Sequence, residues 1–290
     1  MADSTYIYSR GKRLGVAEHQ LAYSRAFRFG DALFETIRVS QGKICFLQEH
    51  LTRLTHGMKV LKMQMHPDLR PASIREKIRH ILNTHEMTGG ARVRLTVYRG
   101  GEGFYTPEQN GVEYTIEITE LPDSEFLWEN TGKTIDLYEV HKKPIHELST
   151  IKSTNSIFYI MAGIHASEKG WDDCLLVNDL GHIVESVSSN IFVAYNGVLY
   201  TPSTEQGCIP GIMRQQIIDI ARSNHIEVQE CPLSPQVLVR ADEVFLTNAV
   251  EGIRWVLAYR SKRYFNKVGK KLMDKLNETV ANSTMDPQGN

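Results

Sequence analysis

Apolar and polar residues alternate along several short stretches in the first part of the chain, and this period of two predicts β-strands. Between these stretches, apolar residues recur three and four positions apart, which predicts helices over 47–61 and 74–82. The mixture of both patterns predicts an α+β unit. The predicted strands run through Ile37, Ile44, Val93 to Val97, and Tyr114 to Ile118.

Two β-hairpins are predicted further along the chain, where short apolar runs flank turn residues. The first hairpin joins residues 173–178 to residues 182–185 through Asp179-Leu180-Gly181. The second turns at Asn196-Gly197, a pair that readily takes the positive φ angles of a tight turn. These hairpins predict that the second half of the chain is rich in β-structure.

Both periodicities break at Leu121-Pro122-Asp123-Ser124, where proline and small polar residues favour an irregular connection. We therefore predict a small amino-terminal α/β domain at residues 1–120, a linker at 121–130 and a larger β-rich domain at 131–290. Polar residues 284–290 follow a basic helix, and we expect them to fray.

Composition narrows the class of protein. The chain has 290 residues, of which 41% are hydrophobic and 23% charged, and its formal net charge is −1. This near-neutral balance argues against a nucleic-acid-binding protein, and no apolar run approaches a membrane span. The 4 cysteines stand far apart and the 11 histidines show no zinc-ligand spacing. We therefore expect reduced thiols, a cytoplasmic location and no bound metal.

Lys152 is the first candidate for chemistry. It lies just ahead of a helical pattern, and a helix start disfavours a positive charge. A lysine that is neutral part of the time can form a Schiff base with a carbonyl and later shuttle protons. The alternative interpretation is a solvated surface lysine. The helical pattern consists of Ile157, Ile160, Met161 and Ile164.

Two further segments suit a phosphorylated pyridine aldehyde. Glu185 lies among apolar residues of a predicted strand, where a buried carboxylate needs a partner such as a pyridinium nitrogen. A strand-edge glutamate that faces water is the alternative. Pro210-Gly211 precedes an amphipathic helix, whose N–H groups and dipole favour a phosphate. The alternative for this pair is a plain turn.

The three segments just described belong to a set of six that follow one another along the chain. They are Phe29-Gly30-Asp31 with Phe34 to Val39, His50 to Leu54, Lys152 to Asn155, Glu185 with Ser189 to Phe192, Pro210 to Arg214, and Ala241 to Ala249. Together they resemble the class IV (fold type IV) pyridoxal-phosphate enzymes over nearly the whole chain. This family contains branched-chain aminotransferases, D-amino-acid aminotransferases and aminodeoxychorismate lyases.

The resemblance implies a two-domain, α+β, fold type IV enzyme with pyridoxal 5'-phosphate as its cofactor. Lys152 would form the Schiff base and shuttle protons, Glu185 would contact the pyridine nitrogen, and Arg53 would bind the phosphate. It also implies a homodimer whose active site borrows a loop near Arg25 to Phe29 from the partner. The other implied cofactor-binding residues are Asn190, Gly211, Ile212, Met213, Asn248 and Ala249.

The substrate side of the site is expected on the strand that contains Arg92 and Arg94. Strand alternation places both arginines on one polar face, which could line the pocket or face solvent. The resemblance implies that Arg94 helps to bind the substrate, and a guanidinium suits a carboxylate. The candidate substrate-binding residues are Phe29, Phe34, Arg94 and Tyr105.

The expected activity is amino-group transfer between an amino acid, branched-chain or similar, and a 2-oxo acid. The alternative is an aminodeoxychorismate lyase that releases pyruvate and 4-aminobenzoate. Met213 and Ala249 stand where branched-chain aminotransferases usually have threonine, and Ile157 stands where they have tyrosine. A further alternative is a homologue that binds the cofactor without catalysis, and the intact Lys152 and Glu185 speak against it.

Overall fold

The computed structural model of the chain describes residues 8–9, 12–13 and 24–283. The predicted fraying of residues 284–290 lies outside the described residues. Strands β1 (Tyr8–Ser9) and β2 (Lys12–Arg13) pair with each other. The rest of the described chain forms a four-stranded sheet, a nine-stranded sheet and the helices that pack on them.

The four-stranded sheet is antiparallel, with the order β4-β3-β5-β6. Apolar side chains alternate along its central strand and pack against two amphipathic helices, as the sequence predicts. The elements are helix α1 (Arg25–Phe29), β3 (Ala32–Ser40), β4 (Lys43–Ile44), α2 (Leu47–Val60), α3 (Pro71–Thr84), β5 (Gly90–Arg99) and β6 (Val112–Leu121).

The nine-stranded sheet contains the remaining strands. Its order is β12-β11-β10-β13-β14-β7-β8-β9, and β15 pairs with β14. The strands are β7 (Lys133–Lys143), β8 (Asp173–Asn178), β9 (Ile183–Ser186), β10 (Asn190–Tyr195), β11 (Val198–Thr201), β12 (Val228–Glu230), β13 (Glu243–Asn248), β14 (Gly252–Tyr259) and β15 (Lys262–Arg263). The helices are α4 (Ile157–Lys169), α5 (Ile212–Ser223), α6 (Gln236–Arg240) and α7 (Lys267–Asn282).

Both predicted hairpins are confirmed. Strands β8 and β9 pair antiparallel, with Leu176 opposite Glu185, and β10 pairs with β11. Asn196 and Gly197 turn the second hairpin with φ angles of 50° and 78°. Asparagine and glycine are the residues that tolerate this left-handed conformation best, so the local sequence determines the turn.

Helix α4 differs from the usual pattern for a surface helix. Its buried side consists of Ala162 and Ala166, whereas the predicted apolar stripe points outward. Ile157, Ile160 and Ile164 are exposed by 60%, 53% and 46%. Three isoleucines exposed in one row form an apolar surface on the described chain.

The segment after β6 joins the two sheets. Phe126 is buried in the core of the nine-stranded sheet, and the Arg38 guanidinium of β3 donates to the carbonyls of Asp123, Glu125 and Val250. The predicted linker therefore packs firmly, although the domain bounds at 120 and 131 remain a prediction. None of the helices in the described residues has the length and hydropathy of a membrane span.

Candidate active site

A cavity of about 940 Å³ opens between the two sheets. It brings together nearly all of the site residues predicted from the sequence, although they come from segments far apart in the chain. The predicted residues that line it are Phe29, Phe34, Arg53, Tyr105, Lys152, Glu185, Asn190, Gly211, Ile212, Met213, Asn248 and Ala249.

Arg94 is the predicted residue that does not line this cavity. Its guanidinium lies 4.0 Å from the centroid of the Phe34 ring, and the Glu117 carboxylate on the next strand attracts it. Arg92, two residues earlier on the same strand face, lines the cavity instead. The sequence alternation identified the correct strand face, but Arg94 lies over the Phe34 ring and Arg92 is the arginine that lines the cavity.

Lys152 lies against an aromatic wall. Its Nζ is 4.5 Å from the centroid of the Phe34 ring. Burial lowers the pKa of Lys152 to about 8, and the positive charge of Arg53 acts in the same direction. Helix α4 begins only at Ile157, so burial, rather than the predicted helix dipole, makes the amine easier to deprotonate.

The backbone around Lys152 is hydrogen-bonded to β3 of the four-stranded sheet. The Phe34 N–H donates to the Lys152 carbonyl over 3.0 Å, and the Thr154 N–H donates to the Ala32 carbonyl over 3.0 Å. Leu33 and Ser153 form an isolated antiparallel bridge between these bonds. The lysine is therefore held by strand-like pairing rather than by a flexible loop.

Glu185 is buried and forms an ion pair with Lys143, whose Nζ donates to Oε1. The Tyr159 hydroxyl donates to the same oxygen over 2.8 Å, and the Ile209 N–H donates to Oε2 over 3.0 Å. Burial and the adjacent Glu185 raise the pKa of Tyr159 far above its ordinary value, so the hydroxyl stays protonated. A carboxylate offers about four acceptor positions, so one position on Glu185 remains for a ligand in the cavity.

Lys143 and Tyr159 were missed by the sequence analysis. Lys143 ends strand β7 and stands 42 positions before Glu185 in the chain. Tyr159 lies two residues beyond Ile157, where the family resemblance leads one to expect a tyrosine. An aromatic hydroxyl close to the expected position was the one available signal, whereas the lysine pairing depends on the sheet order.

A second buried cluster surrounds Glu35. Arg53 donates from Nε and Nη2 to the two Glu35 oxygens over 2.9 and 2.5 Å, and from Nη1 to the Pro210 carbonyl over 3.0 Å. His50 Nδ1 lies 2.6 Å from Glu35 Oε2. Burial opposes the charge of Glu35, but Arg53 and His50 outweigh it and lower the pKa of Glu35 to about 2. Arg53 is therefore fixed in place while one further N–H on each terminal nitrogen can bind an anion.

Helix α5 begins at the cavity without a capping side chain. Gly211 is its N-cap residue, and the first helical bond runs from the Gln215 N–H to the Gly211 carbonyl. The N–H groups of Ile212 and Met213 therefore have no acceptor within the helix. A Cβ atom at Gly211 would lie 1.9 Å from Asn190 Oδ1, so this close approach requires glycine. The free N–H groups of Ile212 and Met213 at this helix end can bind an anion.

One buried polar atom at the cavity has no partner. The Thr247 hydroxyl oxygen is buried and makes no hydrogen bond, and Thr247 lines the cavity. Asn248, the next residue, donates to the Ser189 hydroxyl over 3.0 Å. An unsatisfied hydroxyl that lines the same cavity as an uncapped helix end and a fixed arginine suits a ligand with several acceptor oxygens. This donor set fits pyridoxal 5'-phosphate: an amine for the aldehyde, N–H donors for the phosphate and an acceptor for the ring nitrogen.

The glycine run that begins at Gly100 is held by a buried arginine. Arg25 donates to the Phe104 carbonyl over 2.6 Å and pairs with Asp31 at 2.8 Å. The centroids of the Phe29 and Tyr105 rings lie 5.6 Å apart at the cavity mouth.

Within the part of the chain that the structure describes, no group of three or more His, Cys, Asp or Glu side chains could hold a metal ion.

Comparison with known proteins identifies one family. Residues 32–259 match the family model of amino-transferase class IV. A relative from Methanocaldococcus jannaschii, provisionally named a branched-chain-amino-acid aminotransferase, is 32% identical over 277 residues. The alignment covers 94% of this chain and 92% of the relative.

Solved structures share the fold. A protein from Legionella pneumophila, provisionally named a 4-amino-4-deoxychorismate lyase, has a TM-score of 0.78 and 27% identity, covering 88% of this chain and 93% of that one. The branched-chain amino acid aminotransferase of Escherichia coli has a TM-score of 0.82 and 22% identity, covering 98% and 97%. An aminotransferase from Brucella abortus, solved with the cofactor PLP, has a TM-score of 0.78 and 20% identity, covering 94% and 99%. The predicted two-domain, α+β fold type IV is thereby confirmed.

Proposed function

Because the chain belongs to the class IV amino-transferase family, we propose that it is an aminotransferase that uses pyridoxal 5'-phosphate and a Lys152 Schiff base. Its substrates are an amino acid, branched-chain or similar, and a 2-oxo acid. The observation that carries this proposal is the position of Lys152. Its amine, with a pKa lowered to about 8 by burial, lines the same cavity as Arg53 and Glu185.

The bound cofactor supplies an aldehyde that condenses with amines and a ring that accepts electrons from the adjacent carbon. Lys152 is neutral often enough near pH 8 to bind the aldehyde. When it is not bonded to the aldehyde, the same Nζ would be the group that accepts a proton from the substrate carbon and delivers it to the adjacent carbon of the cofactor. One positioned lysine therefore serves for attachment and for proton transfer.

The other residues hold the cofactor. Arg53 and the N–H groups of Ile212 and Met213 bind the phosphate, with Asn190 and Gly211 shaping the turn before the helix. The free acceptor position of Glu185 receives the ring nitrogen. The loop of Asn248 and Ala249 closes the side of the cavity that holds the cofactor. Phe29, Phe34 and Tyr105 form the wall of the cavity that contacts the substrate.

The second candidate function is an aminodeoxychorismate lyase. It is supported by the 27% identity to the Legionella pneumophila protein, which is lower than the 32% identity to the Methanocaldococcus jannaschii relative named as an aminotransferase. Met213 and Ala249 also lack the hydroxyl groups expected of a branched-chain aminotransferase. Both reactions use Lys152 and Glu185 in the same way, so the substrate test below separates them. A homologue that binds the cofactor without catalysis would turn over no donor.

We also propose a homodimer with a shared active site. The exposed isoleucines of helix α4 offer an apolar surface for a second copy. The family resemblance implies that residues 25–29 reach the partner's site, whereas Arg25 and Phe29 line the cavity of their own chain, so a shared site would require this segment to contact the partner's cavity as well. Sedimentation velocity of the intact protein tests this proposal, and a monomer at micromolar concentration would contradict it.

An absorbance scan of the purified protein tests the function. L-Leucine, L-glutamate, D-alanine or aminodeoxychorismate is added singly, and loss of the visible cofactor band with release of a 2-oxo acid identifies an aminotransferase and its donor. Pyruvate release from aminodeoxychorismate alone identifies the lyase. Lys152→Ala should abolish the visible band of the wild-type protein. A band that survives this substitution would overturn the assignment of Lys152.

A further inference from the structure

Glu185 already has a cationic partner before any ligand arrives. Lys143 Nζ donates to Glu185 Oε1 and lies 2.8 Å from the Tyr159 hydroxyl, to which it also donates. Lys143 and Glu185 are exposed by only 4% and 3%, so water does not screen their charges. The two residues form a buried, neutral ion pair at the cavity wall.

The ring nitrogen of a bound cofactor would meet a carboxylate whose negative charge is already balanced by Lys143. Lys143 contributes one positive charge, Glu185 one negative charge, and Tyr159 none because its hydroxyl stays protonated. A protonated ring nitrogen bound at the free Glu185 acceptor would add a second cation to a pair that is already balanced. In a low-dielectric site, the repulsion from Lys143 offsets much of the attraction to Glu185.

We propose that Lys143 is a positioning residue that moderates the hold of Glu185 on the ring nitrogen of the cofactor, by sharing the carboxylate through a buried ion pair. The inference rests on the proposed function, since it requires the pyridine cofactor. Lys143, the Tyr159 hydroxyl and the Ile209 N–H together fix the orientation of the carboxylate, and Lys143 also balances its charge. The hydrogen bond from the ring nitrogen to Glu185 then contributes about as much to the binding free energy of the cofactor as a hydrogen bond between neutral groups.

A cofactor analogue tests this inference. In 1-deazapyridoxal 5'-phosphate a C–H group replaces the ring nitrogen, while the aldehyde and phosphate are unchanged. Both compounds form the same bond with Lys152, so the ratio of their dissociation constants isolates the ring nitrogen. Each is titrated into the apoprotein, with binding followed by the visible absorbance.

The wild-type protein should prefer pyridoxal 5'-phosphate over the analogue by no more than about tenfold, as for one neutral hydrogen bond. In Lys143→Met the ring nitrogen becomes the only cation available to Glu185. The preference should therefore rise to about a hundredfold or more, the range for an unshared buried charge pair. Lys143→Arg keeps the charge and should restore the wild-type ratio.

Lys43→Met is the matched control for the loss of a lysine. Lys43 Nζ donates to the carbonyls of Val280, Ala281 and Ser283 at the end of helix α7, away from the cavity. Its ratio should equal that of the wild type. A merely structural role of Lys143 would weaken both compounds equally and leave the ratio unchanged, which would overturn the inference.

The wild-type ratio of dissociation constants tests the inference even without the variants. A wild-type preference well above about a hundredfold would overturn the inference even if Lys143→Met fails to fold. Binding of both compounds with an unaltered ratio in Lys143→Met defeats the inference and leaves the proposed function intact. If neither compound binds to the wild type, the proposed function and the inference both fail.

Discussion

Two buried glutamates flank Lys152, one in each sheet, and their buried ion pairs present different groups to the cavity. Glu35 in the four-stranded sheet and Glu185 in the nine-stranded sheet are exposed by 1% and 3%. Glu35 accepts two bonds from Arg53 and contacts His50. Glu185 accepts bonds from Lys143, Tyr159 and the Ile209 N–H. Each carboxylate therefore has three contacts, which come from two residues at Glu35 and from three residues at Glu185.

The difference lies in which partner reaches the cavity. Glu35 does not line it, whereas Arg53 does, so this carboxylate serves to fix a cation at the cavity wall. Glu185 lines the cavity itself, so there the cation serves to fix a carboxylate. A buried ion pair gives a precise position to whichever member faces the ligand. This comparison predicts that the two glutamates affect different steps.

The largest effect should come from Glu185→Ala. The cofactor should stay bound through its phosphate and Lys152, but proton removal from the substrate should slow by about a thousandfold because charge on the ring is no longer stabilised. Single-turnover absorbance kinetics at saturating cofactor measure this rate. Near-normal turnover in this variant would break the distinction between the two clusters.

A smaller effect is expected from Glu35→Gln, the matched change in the other cluster. Arg53 loses its charged partner and its fixed position, so the dissociation constant of the cofactor should rise by about tenfold to a hundredfold, as when an outer partner is lost at a metal site. Turnover at saturating cofactor should stay close to that of the wild type. Equilibrium titration of the apoprotein gives the affinity, and a selective loss of turnover would contradict the prediction.

The smallest effect concerns pH. The pKa of Lys152 is lowered to about 8, so the neutral amine rises from about a tenth of the protein at pH 7 to about nine-tenths at pH 9. The rate at which the apoprotein captures the cofactor aldehyde should increase about tenfold over this range. Both glutamates raise the pKa of Lys152, Glu35 more than Glu185, so Glu35→Gln and Glu185→Ala should each shift the midpoint to lower pH. A flat profile in stopped-flow absorbance would show that another step limits capture.

Local sequence was sufficient for much of the fold. Asn196-Gly197 and Asp179-Leu180-Gly181 specify their hairpins because Gly181, Asn196 and Gly197 tolerate the positive φ angles that these turns require. Helix α4 was also predicted, but not its orientation, since Ile157 and Ile160 point away from the core. A period identifies a helix, whereas the buried face depends on what packs against it.

The candidate site was predictable where one short segment carries the signal, as at Lys152 and Pro210-Gly211. The choice of Arg92 over Arg94 at the cavity was not predictable, because both arginines lie on one strand face and local sequence does not determine where each guanidinium packs. The pairing of Lys143 with Glu185 was also missed, since it depends on strands β7, β8 and β9 being neighbours. The catalytic and binding roles of these residues remain predictions.

The backbone bridge between Ser153 and Leu33 has a consequence for how the molecule unfolds. Lys152 follows the predicted linker in the chain, yet the adjacent Ile151 packs in the core of the four-stranded sheet. Loss of either sheet would therefore release the lysine segment and expose part of the other core. The two units should melt in one cooperative transition, and amide hydrogens on both sides of the bridge should exchange with solvent at a common rate.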